Sequence, residues 1–132
     1  MFTETNPYMR YRQTQVGTAG PLELILMMYD GAIRFCNQAK NAIEEKKYYE
    51  ANQLLQRVQA IIDELNYSLN MDAGEIAANL RNLYDFIATK LVEANIKKDI
   101  VTIDQMVNLL TELRSSWAEL QSPQKKVVSA GE

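Results

Sequence analysis

The chain has 132 residues, of which 47% are apolar and 23% charged, with a formal net charge of -3. This length favours a single globular domain with a genuine core. The acidic balance excludes a general electrostatic attraction to nucleic acid or to anionic membranes. Only five glycines and three prolines are present, and no strand-like alternation of apolar and polar residues stands out. The composition therefore favours an all-helical protein.

The cysteine content and the chain's apolar runs bear on its compartment. Cys36 is the single cysteine, so an internal disulfide cannot form and nothing indicates an oxidising compartment. No apolar run approaches the ~20 residues that a membrane-spanning helix needs. The N-terminus lacks the basic start and apolar middle of a signal peptide. We therefore expect a cytoplasmic protein.

The first 17 residues are polar and carry no helical pattern, but they include Pro7 and the two tyrosines Tyr8 and Tyr11. We expect an extended N-terminal arm over residues 1–17. A frayed terminus is one interpretation. Aromatic residues three apart are unusual in a purely disordered segment, so a docking role is the other.

The first helix is predicted to begin at Pro21, after a cap at Thr18 or Gly20, because proline at the first helical position loses no hydrogen bond. Cys36 falls inside the apolar stripe of this helix, and without a histidine to act as its base it is expected to be structural. Apolar residues at steps of three and four define the stripe: Leu22, Ile25, Tyr29, Ala32, Cys36, Ala39 and Ile43.

Three more helices follow by the same periodicity. A charged break at 44–47 precedes a second helix that begins at Tyr48 or Tyr49. A turn at 70–72 leads into the third helix, for which Asp72 and Glu75 are predicted to form a capping box. A turn at 95–99 leads into the fourth, which Asp99 can cap. The stripes are Ala51, Leu55, Val58, Ile62, Leu65 and Leu69; Ala77, Leu80, Tyr84, Ile87, Leu91 and Ala94; and Ile103, Met106, Leu110, Leu113, Trp117 and Leu120.

Four helices of similar length joined by short turns predict an antiparallel four-helix bundle with up-down-up-down topology. The bundle is expected to span residues 18–121. After Gln121 the periodicity is lost, so residues 122–132 are expected to form a flexible, disordered tail.

A catalytic or metal site is not supported by the sequence. Di-iron bundles need glutamates in the core together with Glu-x-x-His pairs, and this chain has no histidine. No glycine-rich phosphate loop follows a strand. We expect neither enzymatic activity nor a cofactor. The glutamates that fall outside the core stripes are Glu50, Glu64, Glu75, Glu93 and Glu112.

Several apolar residues lie outside the predicted stripes. Leu24 and Met27 do so on the first helix, with Gly31 next along the same face and Leu26 and Ile33 beside them. Tyr67 and Phe86 do so on the second and third helices. A contiguous exposed apolar surface indicates a partner site. The other interpretation is that the core is simply wide, because a globular helix buries a broad sector.

Short elements spread over the chain resemble those of the flagellar secretion chaperone family FliS. They begin with Asn-Pro-Tyr at 6–8, Tyr-Arg-Gln at 11–13, Thr-Ala-Gly-Pro at 18–21 and Met-Tyr-Asp-Gly at 28–31. The remaining elements, in order, are Ile-Ile-Asp-Glu-Leu at 61–65, Gly-Glu-Ile-Ala at 74–77, Leu-Tyr-Asp-Phe at 83–86, Leu-Val-Glu-Ala-Asn at 91–95, Asp99, Leu-Arg at 113–114 and Trp117. The departures are small: Gly20 replaces a serine, Ala73 a glycine and Phe86 a tyrosine of the family pattern.

The resemblance implies an antiparallel helical bundle that binds the disordered C-terminal segment of flagellin in the cytosol. Binding would block premature polymerisation and present flagellin to the type III export apparatus. The N-terminal arm would cover part of the binding surface. Tyr29 also lies on the core stripe, so it is a candidate for the core as well. The predicted partner-binding residues are Tyr8, Tyr11, Gln13, Leu24, Met27, Tyr29, Gly31, Tyr67 and Phe86.

Two other classes of function remain open from the residues alone. One is a structural or adaptor bundle that self-associates through its surplus apolar residues. The other is an enzyme acting on a small ligand, which the lack of convergent polar residues argues against.

Overall fold

The computed structural model describes residues 20–121. The N-terminal arm, the alternative cap Thr18 and the tail 122–132 lie outside these residues. The described part contains four α-helices and a short 3-10 turn, and the predicted all-helical bundle is confirmed. The helices are α1 (Pro21–Glu44), α2 (Tyr48–Tyr67), α3 (Glu75–Lys97) and α4 (Ile100–Ala118), with the 3-10 turn at Met71–Ala73 between α2 and α3.

The first two helices begin where the sequence predicts. Gly20 precedes Pro21 as the N-terminal cap of α1. The Gly20 amide donates to a carboxylate oxygen of Glu23 at 3.2 Å, which satisfies one of the amides that the start of a helix leaves unpaired. After α1, Lys46 adopts a positive φ of 62°, and the chain reverses within three residues before α2 begins at Tyr48.

The predicted capping box at the start of α3 is wrong. Asp72 lies in the 3-10 turn, where its amide donates to the Asn70 side-chain oxygen at 3.0 Å. The helix begins only at Glu75, after Gly74, which has a φ of 81° and ψ of -135°. A residue with a side chain is strained at that φ. Asn70 caps the 3-10 turn, and this turn places Asp72 too early to cap the helix.

Asp99 caps α4 as predicted. Its carboxylate accepts a hydrogen bond from the Thr102 amide at 3.3 Å and another from the Thr102 hydroxyl at 2.8 Å. These two bonds, the hydroxyl one first, lower the pKa of Asp99. Lys98, just before the cap, has a left-handed φ of 53° that turns the chain from α3 into α4.

Polar pairs between neighbouring helices establish the antiparallel order. On α1, Lys40 bonds to Asp104 of α4 at 2.7 Å, while Asp30, ten residues earlier, pairs with Arg114, ten residues later. Between α2 and α3, Asn95 donates to Asn52 at 2.8 Å. Each helix packs against the next one in sequence, and α1 also packs against α4. The four helices therefore form a closed ring with up-down-up-down topology.

The core follows the predicted stripes but is wider than they are. Most stripe residues are buried, and Leu69 packs against the core although α2 has already ended. The prediction that Leu120 is a core residue of the fourth helix is wrong, because α4 ends at Ala118 and the Leu120 side chain is 58% exposed. The buried residues that the stripes missed are Leu26, Met28, Gly31, Ala42, Leu54, Ile61 and Val107.

Cys36 lies in the core with no exposed surface. Burial in this apolar setting raises the pKa of its thiol to about 12, since the charged thiolate is poorly solvated there. A reactive cysteine needs the opposite shift. The structural role expected of Cys36 from its position in the stripe agrees with this placement.

Three aromatic side chains form a polar link across the core. The hydroxyls of Tyr29 on α1 and Tyr84 on α3 lie 2.7 Å apart, and the indole N–H of Trp117 on α4 donates to the Tyr29 hydroxyl at 3.1 Å. Both tyrosines are almost fully buried, and desolvation is the main cause that raises both of their pKa values. The link connects three of the four helices and fixes their positions relative to one another along the bundle axis.

Replacing the two tyrosines by phenylalanine tests this link. Tyr29→Phe removes the hydroxyl that bonds both the Tyr84 hydroxyl and the Trp117 indole N–H, so we expect a loss of about 1–3 kcal/mol in the free energy of unfolding. Tyr84→Phe leaves Tyr29 bonded to Trp117, and its expected loss is smaller, about 0.5–1.5 kcal/mol. The double variant should lose less than the two single losses together, because no tyrosine hydroxyl is then stranded.

Urea unfolding of the three variants measures these differences. Tyr67→Phe is the matched control, since the Tyr67 side chain is 88% exposed and its change should stay within about 0.5 kcal/mol. Strictly additive losses, or a larger loss for Tyr84→Phe than for Tyr29→Phe, would contradict the proposed hydrogen-bond order.

Candidate binding surface

Leu24, Met27 and Gly31 lie on one face of α1, at steps of three and four residues. Leu24 and Met27 are half-buried. Gly31 is buried, and a methyl group added there would lie 3.5 Å from the Ile61 side chain of α2. This face of α1 is therefore the one that turns towards α2, and Gly31 has a close neighbour within the bundle itself.

Tyr29 lies in the core rather than on the surface. Its side chain has no exposed area, and its hydroxyl is already engaged by Tyr84 and Trp117. Of the two placements that the sequence left open for Tyr29, the structure gives the core. A partner can reach it only indirectly, through the residues that cover it.

Tyr67 and Phe86 extend away from the core on other helices. Tyr67, the last residue of α2, is 88% exposed, and Phe86 on α3 is 46% exposed. The Lys90 ammonium lies 5.8 Å from the centroid of the Phe86 ring, within the range of a cation–π contact. The candidate residues are thus spread over three helices and do not form one compact patch. Tyr8, Tyr11 and Gln13 lie outside the described residues.

Other large apolar side chains among residues 20–121 are exposed, and the sequence patterns did not predict them as partner-binding residues. Two of them adjoin a stripe residue directly, since Ile76 precedes Ala77 and Val92 follows Leu91. An adjacent residue on a helix is rotated by about 100°, so this signal was available in the sequence. These further side chains are Tyr48, Tyr49, Met71, Ile76, Val92, Ile96, Val101 and Leu120.

A cavity of about 260 Å³ opens at the end of the bundle where α1 begins and α4 ends. It is lined by Ile25, by residues of the α2–α3 connection, and by Tyr84 and Trp117 of the polar link. Its walls are mostly apolar. Such walls suit an apolar side chain better than a charged group.

The described residues contain neither a metal-binding cluster nor a membrane-spanning helix. Across residues 20–121, no three of the histidine, cysteine, aspartate and glutamate side chains are grouped so as to hold a metal ion. Over the same stretch, none of the helices combines the length and the apolar character needed to cross a membrane.

Comparison with known proteins identifies the family. The family model for the flagellar protein FliS matches residues 4–124. The chain belongs to the FliS family. The flagellar secretion chaperone FliS of Bacillus subtilis is 37% identical over 121 residues, which cover 92% of this chain and 90% of the relative.

Two more distant relatives agree in length and extent. The flagellar secretion chaperone FliSB of Pseudomonas aeruginosa is 34% identical over 80% of this chain and 84% of its own length. The FliS chaperone of Vibrio cholerae is 32% identical over 81% of this chain and 79% of its own. The resemblance found in the sequence motifs is confirmed.

Gly31 offers a test of how its surroundings are packed. Alanine is favoured over glycine in a helix interior by up to about 1 kcal/mol. The added methyl would meet the Ile61 side chain at an ordinary contact distance of 3.5 Å. We therefore expect Gly31→Ala to raise the free energy of unfolding by about 0.5–1 kcal/mol, as measured by urea denaturation. A loss of stability would mean that α1 and α2 approach more closely here than their atoms indicate.

Proposed function

We propose that this protein is a cytosolic export chaperone for flagellin. It binds the disordered C-terminal segment of newly made flagellin, prevents its premature polymerisation and aids its delivery to the flagellar type III export apparatus. Membership of the FliS family supports this role, as do the names of its relatives, which are flagellar secretion chaperones. The role requires binding and release, and it uses neither a catalytic residue nor a cofactor.

The observation that carries the proposal is the spread of apolar side chains outside the core. Leu24 and Met27 lie on α1, Tyr67 at the end of α2 and Phe86 on the outer side of α3. A compact partner contacts one patch, whereas an extended segment can follow several helices in turn. A disordered chain that folds on binding suits such a surface, since it can wrap around a large area.

The energetics of such a complex follow from its partner's disorder. Ordering the flagellin segment costs conformational entropy, and burial of its apolar face against the bundle offsets that cost. Apolar burial on this scale gives a strongly negative heat-capacity change. In this proposal Leu24, Met27, Tyr67 and Phe86 contact the segment directly. Tyr29 and Gly31 hold the α1 face in place, and Tyr8, Tyr11 and Gln13 contribute from the arm.

Titration calorimetry with a peptide that covers the C-terminal segment of the organism's own flagellin is the direct test. We expect one-to-one binding with a strongly negative heat-capacity change, because binding and folding of the peptide are coupled. Absence of binding to the well-folded protein would overturn the proposal. If the free protein also grew in size with its concentration, the self-associating adaptor would be favoured instead.

Leu24→Asp and Met27→Asp test the α1 face in the same assay. A carboxylate placed against an apolar partner face loses its hydration, so we expect each variant to bind the peptide at least about tenfold more weakly. Val101→Asp is the matched control, since Val101 is an exposed apolar residue at the other end of the bundle. Near its helix start an aspartate is tolerated.

Circular dichroism and thermal unfolding establish that each variant is folded before binding is measured. Undiminished binding by folded Leu24→Asp and Met27→Asp would remove those two residues from the binding surface. Loss of binding by Val101→Asp as well would mean that the effect is general to added negative charge.

A further inference from the structure

Two arginines share one aromatic ring on the face where α1 meets α2. The guanidinium carbon of Arg34 lies 5.2 Å from the centroid of the Phe35 ring, and that of Arg57, on α2, lies 5.6 Å from the same centroid. Both distances are within the cation–π range. Phe35 is half-buried, while both arginines are exposed. Two positively charged groups thus flank one ring that lies partly at the surface.

Neither arginine has an acidic partner among residues 20–121. The acid four residues before Arg34 is Asp30, and its carboxylate is held by Arg114 of α4 instead. No acidic residue stands three or four positions from Arg57, the spacing at which helical side chains meet. In a chain with a net charge of -3, this is a local excess of positive charge.

The pair continues the face of α1 that carries Leu24 and Met27. Residues 24, 27, 31 and 34 follow one another at steps of three, four and three, so they share one side of the helix. Arg34 follows Met27 by two turns, or roughly 10 Å at 1.5 Å per residue. The apolar part of the face therefore ends in a positively charged part within the length of a short helical segment.

We infer that Arg34 and Arg57 form a carboxylate-binding subsite that fixes the register of the partner segment on this face. The partner is an amphipathic stretch of the flagellin C-terminal segment, with an aspartate or glutamate about two turns from the apolar residues that cover Leu24 and Met27. The inference rests on the proposed function, which supplies the segment. It adds the chemistry by which this surface selects one position of the segment over its neighbours.

The geometry of the arginines suits this role. A guanidinium stacked on an aromatic ring keeps its N–H edges free, and those edges match a carboxylate in a two-bonded fork. A carboxylate bound there also relieves the repulsion between the two like charges. The alternative is that the arginine stems merely shield Phe35 from water. That role predicts an effect on stability without any dependence on the partner's acids.

The test is a double-mutant cycle by titration calorimetry with the full chain. One axis is Arg34→Gln together with Arg57→Gln. The other is the flagellin C-terminal peptide against versions in which each aspartate or glutamate in turn becomes asparagine or glutamine. We expect the arginine variant to bind the parent peptide about tenfold more weakly, with a flatter dependence on salt.

One acid-to-amide peptide should lose a similar factor against the wild-type protein and lose nothing further against the arginine variant. The double Arg→Lys variant should recover only part of the affinity, because lysine keeps the charge without the fork. Arg81→Gln, on α3, is the matched control and should bind like the wild type. Circular dichroism checks that every variant is folded.

Each remaining outcome decides against the subsite. Equal binding by the wild type and the arginine variant, or an equal loss for every peptide with no coupling to any one acid, overturns it while leaving the chaperone role intact. Failure of the wild-type protein to bind the parent peptide overturns the proposed function, and the subsite with it.

Discussion

The burial of α1 between α2 and α4 is the constraint on which the rest of the bundle depends. Along the middle of its core side the small residues Ala32, Cys36 and Ala39 are fully buried. Small side chains let neighbouring helices approach closely, and larger residues of α2, such as Leu55 and Ile62, are buried in the same core. Interiors are packed with few voids, so small residues on α1 need larger ones elsewhere in the core.

A helix that packs tightly can still slide, and the aromatic link opposes this. Apolar contacts have little directional preference, whereas a hydrogen bond between the Tyr29 and Tyr84 hydroxyls holds only at one relative height of α1 and α3. Trp117 extends the same condition to α4. Because a stranded buried hydroxyl is costly, a small vertical shift of any of these helices is penalised. The binding face on α1 thereby keeps a fixed relation to the other helices.

How much of this could be read from the sequence depends on the range of the interaction. The period of three and four residues gives the direction of each buried face, and it placed Tyr84, Ile87 and Leu91 correctly. It does not give the width of that face, which is set by neighbours distant in sequence. Ile61 is buried because its side chain packs beside Gly31 of α1, and the apolar pattern of α2 alone does not predict that contact.

The capping error at Asp72 has a similar origin. An Asp-x-x-Glu pattern satisfies the local rule for a helix start, but here the Asn70 side chain accepts from the Asp72 amide that the capping box would use, and residues 71–73 form a 3-10 turn. Only part of the candidate binding surface could be predicted from the sequence. Leu24, Met27, Tyr67 and Phe86 could be picked out as apolar residues off the stripes. The pairing of Arg34 with Arg57 joins two helices and could not.

The distribution of charge explains why an apolar surface alone is insufficient for the proposed role. Apolar burial is proportional to area and tolerates displacement by one helical turn, since the next turn of an amphipathic segment presents similar side chains. A segment that wraps around several helices must nevertheless bind in one register, or its later parts miss their contacts. A charged pair at the edge of the apolar face distinguishes these alternative registers, because only one of them brings a carboxylate to the pair. Two guanidiniums on one ring, with no acidic partner among residues 20–121 and beside the residues proposed to bind the segment, are the arrangement that this requirement favours.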